Sequence, residues 1–175
     1  MAADTFTLPN FSEPALYSRS NLAPITRSVK FALADITGAA GSAADPLETS
    51  DIIKIFKLPP DVKLIGAKLH TNDLDSATAL TLDLLVTNGT TTKYFFKDHV
   101  VGQAGGAADT NYVSGSTVYD ALDANTAVGW VVDNDNYELR LVASAGATGA
   151  GSGDDIYVLV QYTSALESNE AGFRT

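Results

Sequence analysis

The side chains that could do chemistry in this chain are few and poorly grouped for it. Two histidines, His70 and His99, stand near Asp73, Asp75 and Asp98 in the sequence. A cupin-like mononuclear metal site would want three protein ligands and closely spaced histidines. His70 instead follows Leu69 at a strand end, on the outward parity it shares with Lys68, so two surface histidines are the plainer expectation. Asp133-Asn134-Asp135-Asn136 opens like a calcium loop, but it lacks the glycine and the downstream bidentate glutamate at the required spacing. Between two strands, Asp and Asn are turn formers. Asp73-x-Asp75 and Asp154-Asp155 read in the same way, as carboxylates at strand entries. The Gly149-Ala150-Gly151-Ser152-Gly153 run joins two strands, whereas phosphate-cradling glycines lead into a helix N-terminus. No Gly-x-Ser-x-Gly elbow presents a nucleophile, and there is no cysteine for thiol chemistry, disulfides or zinc.

The aromatics Tyr94, Phe95, Phe96, Tyr112, Tyr119 and Trp130 could line a sugar platform, although most fit core positions equally well. With Trp130, Tyr112 and Tyr119 exposed in a shallow groove, the chain would be a carbohydrate-binding module. With His70 and His99 converging on an acid, it would be a cupin-type metalloenzyme.

The elements that must position these residues are strands. The 175 residues suit one domain with a real core, and a hydrophobic fraction of 45% is normal for a globular protein. The net charge is −10 and the pI about 4.4. Nucleic acid and anionic membranes are therefore poor partners, because binding to either draws on Lys and Arg. No apolar run approaches a bilayer span, and Met1-Ala2-Ala3-Asp4 has no secretory character. A soluble protein made in a cytoplasm is expected.

Residues 1–28 stand apart. Pro9, Pro14 and Pro24 break any helix, and the apolar residues have no period. Asp4 and Glu13 cancel Arg19 and Arg27, so the body carries the whole −10. This neutral, aromatic-bearing segment reads as an extended arm, with Phe6, Leu8, Phe11, Leu16 and Tyr17 as its partner-binding residues. A strap on its own domain is the alternative.

From Val29 onward, alternation and β-branched content predict about eight strands: Val29–Ala34, Asp51–Leu58, Val62–Thr71, Ala79–Val86, a hairpin partner ending near Lys97, Val128–Val132, Tyr137–Ser144 and Ile156–Thr163. In the hairpin, Asn88-Gly89 suggests a two-residue turn, but a loop of Thr87-Asn88-Gly89 would pair Leu84 with Thr92, Leu82 with Tyr94 and Leu80 with Phe96, burying Tyr94 and Phe96 and freeing Lys93 and Lys97. Residues 98–127, rich in Gly and Ala, predict a long loop excursion. The expected class is all-β: an antiparallel sandwich of about eight strands over residues 29–164, jelly-roll-like. An immunoglobulin-like sandwich is the alternative, without its Cys–Trp–Cys signature. Residues 165–175 form a polar tail.

Two stretches, Ile52–Thr71 (IIKIFKLPPDVKLIGAKLHT) and Gly129–Ser164 (GWVVDNDNYELRLVASAG…GDDIYVLVQYTS), resemble small virion proteins of tailed bacteriophages. In those, a strand ending in a Leu-Pro turn leads into a strand with a central glycine, and an aliphatic strand ending in Gln-Tyr closes the body. Over Val29–Thr163 the chain is similar to capsid decoration (cement) proteins. The resemblance implies a jelly-roll body, commonly a homotrimer, seated on the outer surface of the phage head with the major capsid protein as its partner. It implies no catalytic residue, no metal and no cofactor. It also implies synthesis in the host bacterial cytoplasm, with the arm strapping a neighbouring subunit. A head-fibre-type adhesion module on the virion is the other reading of the same pattern.

Overall fold

A computed structural model of the chain describes residues 5–8, 11, 24–33, 36, 47–109, 125–133, 136–149 and 151–165. Among them run ten strands: β1 (Thr5–Thr7), β2 (Ile25–Ala32), β3 (Ile52–Lys57), β4 (Val62–Thr71), β5 (Thr81–Thr87), β6 (Thr92–His99), β7 (Gly106–Asp109), β8 (Val131–Val132), β9 (Glu138–Ala145) and β10 (Asp155–Ser164). A 3-10 turn at Val100–Gly102 follows β6. The fold is an all-β sandwich. Sheet A has the order β1-β3-β9-β5-β6, and sheet B the order β2-β10-β4-β7, with β8 added to β4.

Setting aside β1 and β8, the two sheets hold four strands each, in the interleaved order of a jelly roll. The eight are not quite those expected. The Val128–Val132 candidate contributes only the two residues of β8. The missing strand is β7, taken from the Gly/Ala-rich excursion and paired antiparallel with β4 from Lys68↔Asp109 to Thr71↔Gly106. Small residues hid it, because Ala107 and Ala108 alternate outward and inward without a hydrophobic signal. β2 begins at Ile25, four residues before Val29, and pairs along β10 from Ile25↔Tyr162 to Ala32↔Asp155.

Between the sheets lies one core. Alternation supplies most of it: Leu80, Leu82, Leu84 and Val86 from one side, Ile156, Val158, Val160 and Tyr162 from the other. Bulges supply the rest. In β3 the register shifts between Lys54 and Phe56, so Ile55 and Phe56 are both buried. In the β5–β6 pair it shifts between Leu84↔Phe96 and Leu85↔Tyr94, and Phe95 and Phe96 are both buried. Each extra residue re-aims the next side chain, and two adjacent aromatics reach the same core.

The hairpin register differs from expectation. Thr87 pairs with Thr92, Val86 with Lys93 and Leu85 with Tyr94, around a four-residue loop, 88–91. Side chains hold that loop. Asn88 Oδ1 accepts from Thr90 N at 2.9 Å and Thr91 N at 2.8 Å. Thr87 Oγ1 accepts from Gly89 N at 3.0 Å and donates to the Thr91 carbonyl at 2.9 Å. The Asn side chain thus substitutes for a tighter backbone turn. Lys93 is half-buried opposite Val86 instead of free.

Candidate partner-binding surface

The chemistry-bearing residues are dispersed. His70 is exposed on the outer face of sheet B, whereas His99 lies on β6 in sheet A. The His99 ring packs edge-on to Phe96, with centroids 5.6 Å apart. Its Nδ1 accepts the Val101 N–H at 3.1 Å, and burial lowers its pKa, favouring neutral imidazole. Among the described residues no group of three His, Asp or Glu could hold a metal ion.

Asp75 is buried and works as a backbone clamp. Its carboxylate accepts from the N–H groups of Ala77, Ala79, Leu80 and Thr148, at 2.9 to 3.1 Å. Burial alone would raise its pKa, but the four donors more than offset that and bring it down to about 2. The Thr148 contact ties the β4–β5 loop to the β9–β10 loop. The glycines beside it are there for close approach: a Cβ at Gly151 would run into the Asp73 carbonyl, and one at Gly153 into the Asn72 side chain. Gly153 N donates to the Asp73 carbonyl at 2.9 Å. The Gly/Ser run thus joins two strands, as its position in the sequence suggested, and its described glycines pack against the β4–β5 loop.

Of the aromatic candidates, Trp130 packs edge-on to the buried Tyr137, centroids 4.8 Å apart, and leans on the core. Phe95 and Phe96 are core residues and Tyr94 is half-buried. Tyr112, Tyr119, Asn134 and Asp135 lie outside the described residues.

The arm residues are partly visible. β1 pairs in parallel with β3, Phe6 opposite Ile53, at the edge of sheet A. Leu8 is 5% exposed and Phe6 packs against the core. Leu8 N donates to the Lys54 carbonyl, and Phe11 N to the Leu8 carbonyl, both at 3.1 Å. Within this chain, then, the described part of the arm lies on its own β3. Leu16 and Tyr17 lie outside the described residues. On the same side of the sandwich β2 turns Arg27 inward, its guanidinium 4.2 Å from the centre of the Phe56 ring. Burial lowers the Arg27 pKa, and the same burial raises that of Tyr162. An inward Arg in a strand of alternating pattern has no sequence signal, because its parity is known only once β2 is paired.

The outer faces of the two sheets differ. Across sheet A runs the row Lys54, Arg140, Leu85, Tyr94, and beside it Glu138, Thr87, Thr92. Glu138 takes Lys54 at 3.3 Å and Arg140 at 2.7 Å, with side chains only 14% to 27% exposed. Asp83, Leu85 and Thr87 on this face are buried. Asp83 Oδ1 accepts the Asp98 N–H at 2.6 Å. Burial raises its pKa, with the nearby Asp98 charge adding to the rise.

Across sheet B run the rows Lys30, Tyr157, His70 and Ser28, Leu159, Lys68, followed by Thr163, Lys63 and Val131. Lys30, Lys63, Lys68 and His70 are all exposed, and Val131 is 40% exposed. Lys30 meets Asp155 at 2.9 Å and Lys68 meets Asp109 at 2.7 Å, but the lysine side chains stay 63% and 49% exposed. The parity of β4 put Lys68 and His70 outward from sequence alone; their alignment with Lys30 and Tyr157 required the pairing.

No family model matches this sequence, and no curated protein matches it. Solved structures do. A chain from the capsid of Ralstonia phage GP4 aligns with a TM-score of 0.55 and 21% identity, over 86% of this chain and 89% of that one. A chain from the cyanophage Pam1 capsid asymmetric unit aligns with a TM-score of 0.48 and 23% identity, over 86% and 98%. The likeness to the first is one of fold.

Proposed function

We propose that the chain is a non-enzymatic virion structural protein: a capsid decoration, or cement, protein that binds the outer surface of an assembled phage head. The observation that supports this best is the near end-to-end correspondence of its jelly roll with a chain from a phage capsid. The dispersed histidines and the carboxylates occupied by backbone N–H groups agree with a role in adhesion.

The mechanism is mass action. A protein that binds the assembled shell and not its separated subunits stabilises the shell by its binding free energy, about 2.7 kcal/mol at 100-fold excess over Kd. The partners are the major capsid protein and sister copies in a homotrimer, where symmetry multiplies modest contacts. The arm strengthens this by strapping a neighbour with Phe6, Leu8, Phe11, Leu16 and Tyr17. A three-residue parallel edge pairing is a small contact that can be made in trans as well as in cis. Residues 9–24 can reach about 50 Å when extended, far enough to carry β1 to the β3 edge of an adjacent copy.

Deleting residues 1–24, up to the start of β2, tests the arm. The truncated chain is expected to keep its β spectrum, to lose trimers by light scattering, and to stop co-sedimenting with capsids. Undiminished capsid binding by the truncated chain would remove the arm from the mechanism.

A further inference from the structure

Among the described residues, charge is sorted by secondary structure. All nine described Lys and Arg lie in strands: Arg27, Lys30, Lys54, Lys57, Lys63, Lys68, Lys93, Lys97 and Arg140. The strands hold five acids, Asp83, Asp98, Asp109, Glu138 and Asp155, so they are net +4. The remaining residues of the sequence hold two Arg and sixteen Asp or Glu, net −14, which with the strands' +4 gives the −10 of the chain. An acidic surface would repel this protein in most orientations. Among the described residues, only the strands carry Lys or Arg that could meet such a surface favourably.

The two faces are not equivalent candidates. On sheet A, Lys54 and Arg140 are held by Glu138 in a half-buried cluster, and freeing them would strand a carboxylate. On sheet B the cations are exposed, and the two pairs they make are of the solvent-screened kind worth little. Those lysines can exchange Asp155 and Asp109 for incoming carboxylates at small cost. Among the described residues Lys63 makes no ion pair; on sheet A the same holds for Lys57, which pairs across from Glu138, and for Lys97, whose ammonium lies 5.6 Å from the Tyr94 ring centre. Between the cations lies an apolar centre of Tyr157 and Leu159, with Val131 beside Lys63. An apolar centre with a charged rim is the anatomy of a protein interface.

We infer that the outer face of sheet B is the coat-facing surface, and that the coat surface it meets is acidic. The inference rests on the decoration reading above and adds the orientation and the partner's charge. The edge of this face is β2, at whose start the arm joins the body, so a docked face would deliver the arm along the shell. Complementary charge chiefly sets orientation and association rate, and it weakens as salt rises.

The test uses the full chain and purified capsids of the encoding phage that lack it, in co-sedimentation at low and high salt. A K63E/K68E variant removes charge from sheet B; a K57E/K97E variant makes the same charge change elsewhere. The face variant is expected to lose affinity about tenfold or more at low salt and much of its salt dependence, and the control to stay within about threefold of wild type. A K63R/K68R variant should bind as wild type. Equal losses in both charge-reversal variants, or loss in neither, would overturn the inference and leave the decoration reading intact. Failure of the wild-type chain to bind any capsid would instead overturn that reading and the inference with it. A K63E/K68E variant that binds capsids but no longer self-associates would assign the face to a sister copy and overturn the inference too.

Discussion

The outer faces of sheets A and B are built from similar residues put to different uses. Both carry lysines, a leucine and a tyrosine. On sheet A, Leu85 is buried, Tyr94 is clasped between Asn125 and Ala127 through its backbone, and Glu138 gathers Lys54 and Arg140. The centre of that face is finished within the chain, with Lys57 and Lys97 left outside the Glu138 cluster. On sheet B, Leu159 and Tyr157 remain half-exposed and the lysines point into solvent. The difference teaches that a charged residue on a strand says little by itself; what matters is how far the pair it makes is withdrawn from solvent.

Truncating the two leucines breaks the comparison most directly. Leu85→Ala should cost about 2–5 kcal/mol, as for a buried leucine, while Leu159→Ala should cost no more than about 1 kcal/mol. Urea unfolding at constant m-value measures both, and equal losses would mean that sheet B is as much a part of the core as sheet A.

Removing the carboxylates is the next largest effect. Glu138→Gln leaves two half-buried cations without their counter-charge and should cost about 1–3 kcal/mol. Asp155→Asn, facing the exposed Lys30, should cost less than about 0.5 kcal/mol. The gap should persist in 1 M salt, because the Glu138 cluster is only partly screened.

A pH series sharpens the contrast with the smallest signal. Asp83 on sheet A has a raised pKa, so its charge penalises the folded state fully above the folded pKa, and the penalty fades as pH falls toward the unfolded value. Asp83→Asn should therefore raise the melting temperature at pH 7, and the gain should shrink on acidification. Asp75 runs the other way. Its depressed pKa contributes stability that is complete above about pH 4 and is lost as pH falls toward about 2. Asp75→Asn should lower the melting temperature at pH 7 and flatten the acid limb over that range. Matching slopes for the two variants would refute the assigned environments.

Much of the framework was legible from sequence. Strict alternation placed β4, β9 and β10 to within a residue or two and put Tyr137, Leu139, Leu141, Ile156, Val158 and Tyr162 inside. Alternation failed where bulges interrupt it, at Ile55-Phe56 and Phe95-Phe96, because a bulge is a property of two paired strands and not of one. It also missed β7, whose small residues carry no periodic contrast. Composition set residues 1–28 apart, yet it could not show that Leu8 reaches the core beside β3.

The order of residues by itself determined that this chain makes strands, which side of most of them is apolar, and that its charge is strongly negative, since each is a local or additive property. Tertiary structure alone decided which strands became neighbours. That pairing turned Arg27 inward over Phe56, gave Lys54 and Arg140 a shared carboxylate, and aligned Lys30, Lys63, Lys68 and His70 on one open face. Residues far apart in the chain meet only when sheet order is settled, and sheet order is set by the summed burial of both sheets, which no short window contains.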